Sequence, residues 1–148
     1  MSMHNHIASR FLAARGDVIY TAVFLTESSK QTLRRWWTRE LGLPLLDEKF
    51  MHHMTIEFRP SPDDAFALDL GQQTTLEIMG YGADDRGQAV AVRSDVESTN
   101  DIPHITVSTA SGTSPVYSNN LLSRQKTNKR GPVLVGKVGY YDGQIQFS

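Results

Sequence analysis

The chain has 148 residues, 39% hydrophobic and 21% charged, with no cysteine and a formal charge of -1 from 15 basic and 16 acidic side chains. That length fits one domain with a true core, and the composition is too apolar for a disordered chain. The charge balance excludes a global field that would hold duplex DNA or an anionic membrane, the lack of cysteine excludes disulfides and thiolate sites, and no apolar run approaches the ~20 residues of a membrane span.

Residues 1–16 read as a lead-in, either a short helix or a tail, and residues 17–148 as the domain proper. From Val18 to Leu25 the run is rich in β-branched and aromatic residues, which predicts a well-buried strand. Thr26 or Ser28 then caps a helix in which Leu33, Trp36, Trp37 and Leu41 recur at helical spacing until Gly42 and Pro44 end it. Between Met51 and Phe58 the pattern alternates: His53, Thr55 and Glu57 share one face, while Met54, Ile56 and Phe58 share the face expected to meet the core. Pro60 to Asp64 reads as a turn, and Ala65–Leu70, Thr75–Tyr81 and Gln88–Arg93 read as short strands. A polar segment, Ser94 to Ile102, precedes a second alternating strand from His104 to Ser108. After Gly112 come a polar stretch with Tyr117, a basic loop with Arg124, Lys126, Lys129 and Arg130, and a hairpin signalled by Asp142-Gly143.

The two alternating strands repeat one tetrapeptide pattern, His53-Met54-Thr55-Ile56 and His104-Ile105-Thr106-Val107, with the histidines 51 positions apart. On a strand, His and Thr two apart point to the same side, roughly 6.5–7 Å from each other along the chain, so each copy offers an imidazole and a hydroxyl to one point. Such a set suits phosphodiester cleavage without a metal. One neutral imidazole takes a proton from the attacking oxygen, the other protonates the leaving oxygen, and the hydroxyls donate to the nonbridging oxygens where charge builds. A single tetrapeptide of this kind is more often a surface or core histidine than a catalyst. Two copies carry weight, because average composition gives roughly a few chances in a thousand of finding both by accident.

In these residues the chain resembles the 2H phosphoesterase superfamily, whose signature is two H-x-T/S motifs flanked by apolar residues. His53 with Thr55, and His104 with Thr106, match it position by position. The resemblance implies an α+β fold of two antiparallel-sheet lobes with helices outside (LigT-like), a groove between the lobes, and one motif from each lobe. The short spacing and the stretch PHITVSTASGTSPVYSNNLL are most similar to the compact phage enzymes that degrade the cyclic oligonucleotide messengers of CBASS immunity. That likeness implies a cyclic di- or trinucleotide substrate, no cofactor, and a cytoplasmic protein, acting in the host cytoplasm if phage-encoded. Other members process RNA 2',3'-cyclic phosphate ends or 2'-5' linkages and carry the same motifs. A nucleotide-sequestering protein that keeps the groove without catalysis is the alternative from another class.

Around the motifs, Tyr117 and then Tyr20 are the favoured stacking partners for a base. Arg124 and Lys126 belong to a loop that is either simply solvated or closes over a polyanionic ligand. Strict alternation turns His52 away from His53 and toward a structural role. His4 and His6 do not assemble enough ligands for zinc, and no metal site is expected.

Overall fold

The computed structural model describes residues 17–148, so the lead-in expected at 1–16, with His4 and His6, lies outside the described residues. Among the described residues the alternating segments become nine strands of one antiparallel sheet: β1 (Tyr20–Leu25), β2 (Glu48–Lys49), β3 (His53–Phe58), β4 (Gln73–Ala83), β5 (Gly87–Arg93), β6 (His104–Thr109), β7 (Thr127–Asn128), β8 (Val133–Tyr141) and β9 (Ile145–Gln146). Three helices accompany them, α1 (Glu27–Arg35), which continues as a π-helical turn through Glu40, α2 (Pro62–Phe66) and α3 (Tyr117–Arg124).

Six of the strands run β4-β5-β6-β3-β1-β8, and β8 pairs back onto β4, so the sheet closes on itself. The expectation of two antiparallel-sheet lobes is met in part: the pairing is antiparallel, but both halves belong to one closed sheet. What exists is one ring with two halves, β8-β1-β3 and β4-β5-β6, which meet at two seams. One seam is long, running from Gln73 opposite Lys137 to Glu77 opposite Val133. The other is the single pair Met54 opposite Ile105, between β3 and β6. Closure removes the exposed edges that an open sheet of this size would leave.

Period-two alternation fills the ring. Val23, Met54, Leu76, Ile78, Val90, Ile105, Val107 and Leu134 are all completely buried in one cluster. The helix α1 packs onto the same core through Leu33, Trp36 and Trp37, as its spacing predicts. Thr26 is its N-cap, the hydroxyl accepting from the Ser29 backbone N–H at 3.2 Å. Strand β8 changes partners as it passes from β1 to β4, and Gly136 sits at that crossing, opposite both Leu25 and Thr74. A Cβ there would lie 2.6 Å from Val23 Cγ1 and 2.7 Å from the Phe24 carbonyl oxygen, so only glycine lets the strands approach this closely.

Two segments depart from the sequence expectation. Ala65–Leu70 is not a strand: Ser61 accepts from the Asp64 N–H at 3.1 Å, Pro62 occupies the first turn and Asp63 and Asp64 follow, and this capping outweighs the alternation to give α2 within the expected turn and strand. The polar stretch after Gly112 contains α3, whose Leu121 and Leu122 are buried. Ala89 and Ala91 on β5, with Leu122, form a small cluster, so the short side chains of the strand make room for the helix.

Candidate active site

Because Met54 and Ile105 face each other inside the ring, their neighbours along each strand face outward at the same seam. His53, Thr55, His104 and Thr106 all line one cavity of about 550 Å³ on that outer surface. The four residues expected from the repeated motif are therefore brought together, one pair from each half of the ring.

The seam itself is irregular, and the irregularity shapes the site. Met54 is opposite Ile105, yet the Met51 N–H donates to Thr106 O and the Phe50 N–H to Val107 O, both at 2.9 Å. Three residues on one side thus advance against one on the other, and the two extra ones, His52 and His53, bulge toward the cavity. Met51 makes the turn with φ of 59°. This overturns the placement of His52. Strict alternation does not extend across the bulge, so His52 lines the cavity, stacks on His53 with ring centroids 4.5 Å apart, and sets its Nδ1 2.5 Å from His53 Nδ1. One of the two nitrogens donates and the other accepts.

A second bulge acts on Phe58. Thr21 pairs with Glu57 and Ala22 with Thr55, so β3 carries one extra residue there, and the alternation changes face beyond it. Phe58 leaves the core, where it was expected, and stands 65% exposed on the cavity wall opposite Tyr20. Val116, 72% exposed, is another apolar residue of the rim. Tyr20 lines the cavity, stacked on His53 at 4.8 Å and on Tyr141 at 5.2 Å. Burial first, and Tyr141 second, push its phenol up to about 12, so Tyr20 serves as a wall and not as an acid or base near neutrality.

The histidines differ in their surroundings. His104 is 8% exposed, and its Nδ1–H donates to the Ile102 carbonyl oxygen at 2.8 Å, which leaves Nε2 without a partner among the described residues. Burial lowers its pKa, and that carbonyl opposes the shift. His53 is pushed down to about 3, by burial first, then by the adjoining His52 and His104 imidazoles. His52 is lowered too, by burial and then by the charge of Lys30.

The hydroxyls are placed by the loops beside the strands. Ser98 Oγ donates to Thr55 O at 2.7 Å, and Thr99 bonds Ile56 O through both its N–H and its hydroxyl, pinning the segment that carries Asn100 to the cavity. Among the described residues the Thr55 hydroxyl has no hydrogen bond within the protein. The Thr106 hydroxyl lies 2.8 Å from Ser118 Oγ at the start of α3. If Ser118 donates, the Thr106 hydroxyl directs its own proton to the Pro115 carbonyl oxygen at 3.4 Å, a long contact that a ligand oxygen can replace. Neither Ser118 nor Asn100 was singled out from the sequence, since no local pattern signals that Ser118 reaches Thr106 twelve positions earlier or that the segment carrying Asn100 is tied to β3.

Three expected ligand-binding residues lie elsewhere. The Tyr117 hydroxyl donates to Asp84 Oδ2 and accepts from Arg124 Nη2 at 2.7 Å, with the Arg86 guanidinium 4.5 Å from its ring centre, and Tyr117 does not line the cavity. Arg124 is held in that same cluster, 3.6 Å from Asp84. Lys126 lies beside Gly80 of β4. Helix α3, unforeseen in the sequence, carries Tyr117 onto the β4–β5 turn and away from His104. Among the described residues no three His, Cys, Asp or Glu side chains form a group able to hold a metal ion, and no helix is long and apolar enough to cross a membrane.

Residues 51–140 match the family model described as the fungal tRNA ligase phosphodiesterase domain, a domain of the 2H phosphoesterase type. A comparison with curated proteins finds no match. The matched span covers well over half of the chain and runs from the bulge before His53, through both His-x-Thr motifs, into the strand that closes the ring; the protein belongs to the fungal tRNA ligase phosphodiesterase domain family and is a phosphodiesterase.

Proposed function

We propose that the protein hydrolyses a small nucleotide phosphodiester by metal-independent acid–base catalysis, with His53 as base and His104 as acid. The observation that carries this reading is the opening of both His-x-Thr pairs onto one cavity across the β3–β6 seam. His53, kept neutral by burial first and then by the His52 imidazole beside it, takes the proton from the attacking water as the new P–O bond forms. His104, whose pKa burial lowers against the opposing pull of the Ile102 carbonyl, takes up a proton at Nε2 beside the phosphate anion and gives it to the oxygen whose bond to phosphorus breaks. Thr55 and Thr106 donate to the nonbridging oxygens, and Tyr20, Phe58 and Val116 offer flat or apolar surface to a base.

The substrate we favour is a cyclic di- or trinucleotide, of the kind that compact phage enzymes remove to evade CBASS immunity. Two observations support a small ligand over a long RNA. The cavity walls are mostly apolar, and both arginines of the basic loop face carboxylates, Arg130 at 2.7 Å from Glu77 and Arg124 at 3.6 Å from Asp84, which leaves only its two lysines to a phosphate backbone. The family itself favours a second reading, cleavage of an RNA 2',3'-cyclic phosphate end.

A panel of 3'-5' and 2'-5' linked cyclic oligonucleotides, mononucleotide 2',3'-cyclic phosphates and a cyclic-phosphate-ended RNA, resolved chromatographically with His53→Ala as control, separates these. Faster loss of the cyclic oligonucleotides supports the first reading. Loss of only the other two replaces it with the second, and ligand returned intact after denaturation indicates sequestration.

A further inference from the structure

The catalytic cavity does not end at His52. On the far side of that ring lies a second cavity of about 420 Å³, which shares His52 as a wall and has Phe24, Phe147, Lys30 and Lys137 among its other residues. We propose that this cavity is a subsite for a second phosphate of the nucleotide whose scissile phosphate lies between His53 and His104. The assignment rests on the phosphodiesterase reading and specifies how that site takes a ligand with more than one phosphate.

Continuity comes first. His52 lines both cavities and stacks on His53, while Phe24 lines the second cavity and packs against His53 with ring centres 5.7 Å apart. A ligand passing over these rings moves from one cavity to the other without leaving the surface. Charge points the same way. Lys137 stands on β8 opposite Phe24 and forms no ion pair among the described residues, whereas Arg93, Arg124 and Arg130 all face carboxylates. Lys30 pairs with the exposed Glu27 at 3.0 Å, so the cavity holds two ammonium groups against one carboxylate, and the N-terminal turn of α1 at Thr26 and Glu27 adds the positive end of its dipole. The charge of Lys30 is also felt at His52. Phe147, edge-on to Phe24 at 5.9 Å, gives the sugar or base next to that phosphate an apolar surface.

The probes are adenosine 3'-monophosphate, with one phosphate, and linear diadenylate bearing a 3'-phosphate, with two. Their equilibrium binding is measured by calorimetry on wild type, Lys137→Ala, Lys137→Glu and Lys30→Ala, and each ligand is checked by chromatography afterwards. Because an ammonium–phosphate contact is charge-assisted, Lys137→Glu is expected to weaken the two-phosphate ligand by about tenfold or more and the one-phosphate ligand by no more than about twofold. Lys137→Ala should give a smaller loss of the same pattern. Equal loss for both ligands, no loss for either, or wild type that binds neither overturns the subsite. Failure of the hydrolytic reading looks different: the two-phosphate ligand then binds with its lysine dependence intact, while no cyclic substrate is cut.

Discussion

Lowering the pH from 7 to 5 should destabilise the fold, and His53 should account for a defined share of the loss. Its pKa is about 3 in the folded protein against 6.5 for a free imidazole, so below pH 6.5 the unfolded chain binds a proton that the folded one refuses. Stability from this group is therefore complete above pH 6.5 and drains away as the pH falls toward 3. Integrating between pH 7 and 5 gives about 2 kcal/mol, a large fraction of the 5–15 kcal/mol typical of a domain. His52 and His104 are displaced in the same direction and add to the wild-type trend, so the assay must isolate His53. Urea unfolding of wild type and His53→Asn at both pH values does so. The variant should lose about 2 kcal/mol less than wild type over that interval. Parallel pH dependences in the two proteins would refute the burial argument, and with it the claim that His53 stays neutral in the empty groove.

Three other outcomes are expected. Replacing His53 or His104 by Ala should lower turnover by ~10²–10⁴ with an unchanged far-UV circular dichroism spectrum, and wild-type activity should survive EDTA. Ser118→Ala should cut kcat by roughly threefold to tenfold with little change in KM, because Ser118 orients the Thr106 hydroxyl, and Thr106→Val should cost more; steady-state kinetics on both variants checks the order. Met54→Ala, at a fully buried position on the one-pair seam, should cost about 2–5 kcal/mol in denaturant titration and lower kcat as well, since the same residue fixes the spacing of the two motifs.

The repeated tetrapeptide was enough to mark four residues that line one cavity, because alternation on a strand is a local rule that sets Thr55, His104 and Thr106 on the face opposite Met54 and Ile105. Helix α1 was legible for the same reason, through Thr26, Leu33 and the two tryptophans. The misplacements arise where a local rule meets a non-local one. His52 and Phe58 sit at bulges, and a bulge depends on the partner strand: Thr106 and Val107 hold the backbone before His53, while Thr21 and Ala22 set the slip before Phe58. Tyr117 was assigned to the groove by its closeness in sequence to the second motif, but α3, nucleated in a stretch that read as loop, packs it against Asp84. Ring closure was beyond reach as well, since it depends on Gly136 letting β8 pair with both β1 and β4.

That closure also governs when the enzyme becomes active. The β4–β5 hairpin is local and is organised by its own turn, where Asp84 Oδ1 accepts from the Arg86 and Gly87 N–H groups at 2.9 Å. The pairing of Tyr20 with Tyr141, by contrast, joins residues more than a hundred positions apart, and the seam that unites the histidines has one regular pair, Met54 with Ile105, beside the Met51 and Phe50 N–H bonds that precede the bulge. Long-range contacts of this kind form late, after the entropy of loop closure has been met. Turnover regained after dilution from urea should therefore lag the fluorescence change of Trp36 and Trp37, which report the packing of α1, and any Met54 variant should lengthen the lag. Recovery of activity within the mixing dead time would mean that the two halves meet before the ring is complete.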